Sequence, residues 1–226
     1  MTDVHRVDYT GEGLSEADMA PTPWQQARHW VDEAQARSRD LGDVPEPLAL
    51  SVATVDADGQ PNIRTVLMRF FDERGPGFVT NTESIKGIEI AATGGMAASL
   101  TWPAMFRAIR FRGRAELLSR EEVAGYFGSR PWASRISAWA SRQSQPVAGR
   151  AALEQAYSRY AAQWPDRGRP DDVPVPDFWG GYRLVCDEVE FWGGRRNRLH
   201  DRLVFARVGE GSLDDVSAWR LFRRQP

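Results

Sequence analysis

Apolar residues along this chain recur mostly at every second position, and only in a few stretches at every third or fourth. The first helical stretch runs from Pro23 to about Ala36, where Trp24, Ala27, Trp30 and Val31 share one face. Before it, residues 1–20 are polar and glycine-containing, and read as an irregular arm preceding a single domain over 21–226. LALSVATVD (48–56) and IRTVLMRFF (63–71) are β-rich and flank DADGQ, whose turn chemistry predicts a hairpin. DERGPG turns into a short strand, FVTN (78–81). TESIKGIEIAA (82–92) reads as a helix capped by Thr82 or Ser84. Strands over 96–102 and 104–118 follow, then SREEVAGYF (119–127), which opens with a capping-box pattern. A helical stretch near 149–163 ends in a loop, 164–177, that holds four of the fourteen prolines. Strands over 181–192, 202–208 and 215–222 close the chain. Many short strands with scattered helices predict a mainly β, α+β protein, an antiparallel barrel decorated by helices.

Composition narrows what such a barrel does. The 226 residues carry a formal charge of −2, which supplies no global field for nucleic acid or an anionic membrane. No apolar run approaches the roughly 20 residues that span a bilayer. The N-terminus has no apolar secretion stretch, so the expected location is the cytoplasm. The single Cys186 excludes an intramolecular disulfide and sits inside an apolar strand, as a buried small residue would. His5, His29 and His200 show no metal-ligand spacing. There is no GxGxxG, no GxxxxGK[ST] and no GxSxG, so dinucleotide, P-loop and serine-hydrolase readings lack their motifs. Of the 29 basic residues, only Lys86 is a lysine, so arginine in a lysine's place means little here.

Three basic constellations remain. Arg64 and Arg69 share one predicted strand and neighbour Lys86 near a helix N-terminus, where amides and dipole favour a phosphate. Solvated strand charges would look the same. Tyr126 and Arg130 stand four apart, on one helical face, and Pro131 ends that helix so that Ser134 can point back. Together they suit a phosphomonoester, or an ordinary helix end with a solvated arginine. Arg198, His200 and Arg202 alternate in NRLHDR, so an extended backbone would project all three together. That arrangement suits a planar anionic ring, or a charged edge strand that resists aggregation. Trp179 in DFWGGYR reads as core. Trp192 in EFWGG, beside flexible glycines, suits the wall of a flat cofactor.

RTVLMR (64–69), FVTNTESIKG (78–87), YFGSRPWASRISAWASRQS (126–144), DFWGGYR, EFWGG and RLHDR occur in one order over roughly residues 45–205. In that order they resemble the pyridoxamine 5′-phosphate oxidase family. The WRLFRRQP ending and RVDYT (6–10) fit the same pattern. The resemblance implies a homodimeric FMN-binding split barrel with the flavin at the subunit interface. It implies oxidation of pyridoxine or pyridoxamine 5′-phosphate to pyridoxal 5′-phosphate, with O₂ reduced to hydrogen peroxide. By the same resemblance, Arg64, Thr65, Val66, Leu67, Met68 and Arg69 would hold FMN with Val79, Thr80, Lys86, Gln143, Ser144, Trp192 and Arg202. Arg69, Tyr126, Arg130 and Ser134 would take the substrate phosphate, and Arg198 and His200 the pyridine ring, as the catalytic pair. Arg6 and Tyr9 would belong to an arm closing over the site. This chain departs from the family pattern at Arg69 (usually Lys), Ile85 (usually basic) and Ala108 (usually Gln), with Arg107 or Arg110 as neighbours able to compensate. Two other readings stay open: a same-fold flavin oxidase acting on another ring, as in phenazine biosynthesis, and a non-catalytic flavin or pyridoxal phosphate binder.

Overall fold

A computed structural model describes residues 8–11 and 13–226. Helix α1 spans Pro23–Asp40, with Thr22 accepting the Gln25 amide at 3.2 Å and proline at the first helical position. It runs four residues past the predicted end, and Arg37 and Arg39 in its last turn complement the negative end of the helix dipole. Its buried face (Ala27, Trp30, Val31, Ala34) packs on the main core, which the sheet completes with Leu50, Leu100, Ile109, Phe111 and Phe191.

Nine antiparallel strands make one sheet: β1 (Ala49–Val55), β2 (Pro61–Leu67), β3 (Phe70–Asp72), β4 (Gly75–Asn81), β5 (Gly95–Trp102), β6 (Arg107–Leu117), β7 (Trp179–Gly193), β8 (Asp201–Arg207) and β9 (Trp219–Arg223). The order is β2-β1-β5-β6-β7-β4-β3, with β8 and β9 branching from β7. Strand β7 causes the branch. One edge pairs with β6 from Tyr182 to Gly193, while the other pairs first with β4 over Trp179–Arg183 and then with β8 over Glu188–Gly193. The result is the curled, antiparallel split barrel that the motifs imply. A register shift between Arg112 and Gly113 bends β6 against β7, and Gly113 leaves no alternative residue there, since a Cβ would lie 2.0 Å from the Val185 carbonyl oxygen.

The expected single strand over 63–71 is two. The chain pairs with β1 through Leu67, Met68 donates its amide to the Leu48 carbonyl at 3.0 Å, and Arg69 donates to Gly77 at 2.8 Å. Val66, Leu67 and Met68 run on to Phe70 and Phe71 with no turn residue between them, so the sequence pattern shows no break. The switch leaves an opening between the β2 edge and β4, and the helices cover it.

Helix α2 (Ile85–Thr93) follows β4. Helices α3 (Arg120–Ser129), α4 (Trp132–Ala140) and α5 (Arg150–Gln163) enclose a second core of Leu118, Val123, Phe127, Ile136, Val173 and Trp179. The capping box at Ser119 and Glu122 is present in both directions. Helix α4 was not expected: Pro131 ends α3, but it also starts a new helix immediately, as proline before a first turn permits. Among the described residues, no helix is long and apolar enough to cross a membrane.

Candidate functional site

The opening between β2 and β4 is a cleft of about 560 Å³. It gathers Arg64, Thr65, Val66, Leu67, Arg69, Val79, Thr80, Lys86, Tyr126, Arg130, Gln143 and Ser144, all anticipated from sequence, together with Asn62, Ile63, Ile85 and Trp179.

At one end stands the start of α2. Ser84 occupies the N-cap without capping; its hydroxyl donates instead to the Asn81 carbonyl at 2.6 Å. The amide of Ile85 is taken by the Ser144 hydroxyl at 3.2 Å, so the 141–144 segment caps α2 from across the cleft. Gly87 lets the helix sit this close, because a Cβ there would meet the Thr82 carbonyl oxygen at 2.1 Å. The Lys86 ammonium donates to Gln143 Oε1 (2.7 Å), Ser84 Oγ (3.1 Å) and Thr80 Oγ1 (3.2 Å), with no carboxylate among these partners. Burial, followed by the nearby Arg64 cation, lowers its pKa to about 8, and Glu89 only partly opposes this.

Arg64 is fully engaged. Its Nη2 donates to Glu89 Oε2 at 2.9 Å, and its Nη1 to Thr54 and to the Val52 carbonyl. Glu89 is itself buried, which opposes its charge, yet donors on Thr54, Asn62 and Arg64 hold its carboxyl below the usual range. Glu89 was missed from sequence, although its place one helical turn after Lys86 is a readable signal.

At the other end, Arg69 and Arg130 have no carboxylate within ion-pair distance among the described residues. Arg69 lies over the Tyr126 ring at 6.0 Å, and Arg130 over the Trp179 ring at 4.6 Å and Phe127 at 5.7 Å. Burial holds the Arg130 guanidinium below its ordinary pKa, and the Arg69 and Arg135 cations add to this against Tyr126. Arg130 Nη1 and Trp179 Nε1 are both buried donors without an acceptor. Trp179 is therefore core and cleft wall at once, where the sequence reading made it core alone.

Other anticipated residues lie elsewhere. Met68 is 2% exposed and belongs to the main core, because the partner switch turns its side chain inward. Ser134 enters the first turn of α4 and does not line the cleft. Arg198, His200 and Arg202 are not one extended run: Asn197 and Arg198 adopt left-handed φ of 59° and 64°, and only Arg202 reaches β8. Arg202 pairs with the buried Glu190 through two bonds of 3.1 and 2.7 Å, a carboxylate also held by Arg110 and Arg224. Neither neighbour of Ala108 is uncommitted, since Arg107 pairs with Glu33. Arg6 lies outside the described residues.

Arg198 and His200 instead meet Trp192 and Tyr9. The His200 ring sits 4.8 Å from Trp192 and 5.2 Å from Tyr9, Arg198 lies 5.5 Å over Tyr9, and His200 Nδ1 accepts the Arg195 amide at 3.1 Å. Tyr9, expected on an arm closing over the site, packs against His200 and Trp192, and within one protomer this cluster is separate from the cleft. Trp192 and Leu67 are on strands with β6, β5 and β1 between them, about 19 Å along the sheet at roughly 4.8 Å per step.

Comparison with known proteins bears on both halves. The family model described as pyridoxamine 5′-phosphate oxidase matches residues 39–164, and that of the pyridoxine 5′-phosphate oxidase C-terminal dimerisation region matches 179–226. A pyridoxine/pyridoxamine 5′-phosphate oxidase from Kineococcus radiotolerans is 46% identical, covering 98% of this chain and 97% of its own. Its counterpart from Cupriavidus taiwanensis is 42% identical over 100% and 99%. Among solved structures, PhzG from Burkholderia lata 383, in complex with tetrahydrophenazine-1-carboxylic acid, superposes with a TM-score of 0.82 at 28% identity, covering 96% of this chain and 99% of its own. A pyridoxamine 5′-phosphate oxidase-related, FMN-binding protein from Nostoc punctiforme shares the fold, with a TM-score of 0.67 at 22% identity, covering 92% and 100%.

Proposed function

This chain belongs to the pyridoxamine 5′-phosphate oxidase family, and on that premise we propose that it oxidises pyridoxine or pyridoxamine 5′-phosphate to pyridoxal 5′-phosphate, with FMN as cofactor and O₂ as acceptor. Hydrogen peroxide is the second product. One observation carries the reading: the cleft holds two separate cationic ends. At one end Lys86, held by neutral oxygens, sits beside a helix start with Arg64 neutralised by Glu89 next to it, and at the other Arg69 and Arg130 sit on aromatic rings with no carboxylate to satisfy them. Two phosphates, one from a cofactor and one from a substrate, match two such ends.

The residues present fit FMN. Lys86 is buried against neutral oxygens only, so an anion at the start of α2 gains its charge without displacing an ion pair. Ile85 lines the cleft beside Lys86 as an apolar residue and adds no charge there, while Ala108 lies on β6 and does not line the cleft. FMN held there would supply a hydride acceptor for the substrate carbon that becomes the aldehyde. The chain's own part is placement. Arg69, Tyr126 and Arg130 anchor the substrate phosphate and so fix the distance of the reacting carbon from the cofactor. Val66, Leu67 and Val79 give the cleft part of its apolar lining.

Arg198 and His200 complete the site in a dimer. The cluster of Tyr9, Trp192, Arg198 and His200 on one protomer faces the cleft of its partner in this proposal, with the dimerisation region matched over 179–226 in support. Arg198 and His200 then hold the ring and its phenolic oxygen, and residues 1–20 act as an arm on a single domain of residues 21–226. The structural likeness to PhzG favours a second reading, a larger tricyclic substrate. A carboxylate offers Arg69 and Arg130 less charge and fewer acceptor oxygens than a phosphomonoester, which weighs against it. Anaerobic titration of the purified yellow protein with pyridoxine 5′-phosphate decides the matter. Bleaching of the flavin band at stoichiometric substrate supports the proposal, and an unbleached band at saturating substrate refutes it.

A further inference from the structure

Some arginines of this protein are held by carboxylates, some by backbone carbonyls and some by aromatic rings. Arg64, Arg183 and Arg202 are bound to buried or half-buried carboxylates on Glu89, Asp72 and Glu190. The two arginines at the far end of the cleft are held by rings instead, and the closest stack is Arg130 on Trp179. An ion pair would position a guanidinium equally well, but it would consume the N–H donors and cancel the charge that an anion needs. A π-face holds the cation through its quadrupole and leaves the in-plane donors uncommitted. Arg130 Nη1, buried with no acceptor, is the visible consequence.

We propose that Trp179 is a positioning residue for substrate recognition: its indole face holds Arg130 flat at the cleft wall with its donors reserved for the oxygens of a phosphomonoester. The indole acts through Arg130 rather than on the ester itself. Its place at the head of β7, beside the β4 pairing at Asn81, ties the arginine to the sheet as well as to the end of α3. Phe127, three residues before Arg130, packs edge-on against the Trp179 ring with centroids 5.9 Å apart and lies 5.7 Å from the same guanidinium. The inference rests on the phosphate-binding role proposed for Arg130.

The test uses the FMN-loaded enzyme, with pyridoxine 5′-phosphate as substrate and inorganic phosphate as competitive inhibitor. Trp179→Leu is expected to raise both KM and the phosphate inhibition constant about tenfold, equivalent to about 1.4 kcal/mol, while kcat stays within about twofold. Trp179→Phe, which restores a π-face, returns both constants to within about threefold of the parent. In an Arg130→Ala background, Trp179→Leu adds less than about twofold, because the residue it acts through is gone. If Trp179→Leu fails to fold, Trp179→Met, which fills much of the volume without a π-face, makes the same comparison. An effect of the same size with and without Arg130 overturns the proposal, as does an unchanged KM in Trp179→Leu when Arg130→Ala raises it. If Arg130→Ala itself leaves KM and phosphate inhibition unaltered, the phosphate reading of the cleft has failed first, and the two failures are thereby distinguished.

Discussion

Between pH 7 and pH 9.5 the Lys86 ammonium of the flavin-free protein loses its charge, since burial brings its pKa down to about 8. A phosphate dianion at the start of α2 favours the charged form, so binding FMN raises that pKa again, and binding above pH 8 takes up a proton. The phosphate group itself stays dianionic over this range, its second pKa being about 6. At pH 9.5 only about 3% of Lys86 is charged before binding, so the FMN dissociation constant is expected to rise about thirtyfold relative to pH 7. Quenching of FMN fluorescence on titration into flavin-free protein reads the constant directly. Lys86→Arg removes the slope, because a guanidinium stays charged throughout. Lys86→Ala binds about ten- to hundredfold more weakly at pH 7 and is also flat. A wild-type constant at pH 9.5 within twofold of its pH 7 value refutes the assignment. The same group has a stability signature of definite sign. With a pKa lowered from 10.5 to about 8, the folded chain binds fewer protons than the unfolded one between those values. The contribution of Lys86 to flavin-free stability therefore rises from pH 8 toward pH 10.5, and below pH 8 the full penalty, about 3 kcal/mol, applies.

Two further outcomes follow from the geometry. Arg198→Ala is expected to raise KM and lower kcat for pyridoxine 5′-phosphate with normal flavin content, since Arg198 lies over Tyr9 and away from the cofactor end; unchanged steady-state kinetics remove it from the site. Arg64→Ala leaves the buried Glu89 without a cation and is expected to cost about 3–5 kcal/mol in chemical denaturation. Arg202→Ala costs less, because Glu190 keeps Arg110 and Arg224; equal losses for the two variants contradict the ion-pair accounting.

Local chemistry made much of the protein legible before any coordinates. The strand and helix periods, the capping box at Ser119 and Glu122, and the turn residues between strands are properties of neighbours along the chain; the capping box and the hairpin of β1 and β2 formed where the pattern placed them, while α1 ran on to Asp40 and the strand over 63–71 divided in two. The motifs around Arg64, Lys86, Tyr126 and Gln143 likewise named side chains that one cleft gathers. What no local pattern carries is which strand pairs with which. The break at Met68 and Arg69 exists because the chain exchanges β1 for β4 as its hydrogen-bonding partner, and no turn residue marks it. The left-handed turn at Asn197 and Arg198 hides in the same way inside an apparently alternating NRLHDR.

Partnerships across the fold were equally beyond the sequence. The binding of Arg64 to Glu89 and of Arg202 to Glu190, and the stacking of Arg130 on Trp179, depend on side chains 25, 12 and 49 positions apart meeting in space. The sequence by itself determined the inventory of cations, rings and hydroxyls and the segments that carry them. The tertiary structure decided which cations are neutralised and which are kept available, because charge compensation depends on distances of a few ångströms that only the folded chain sets.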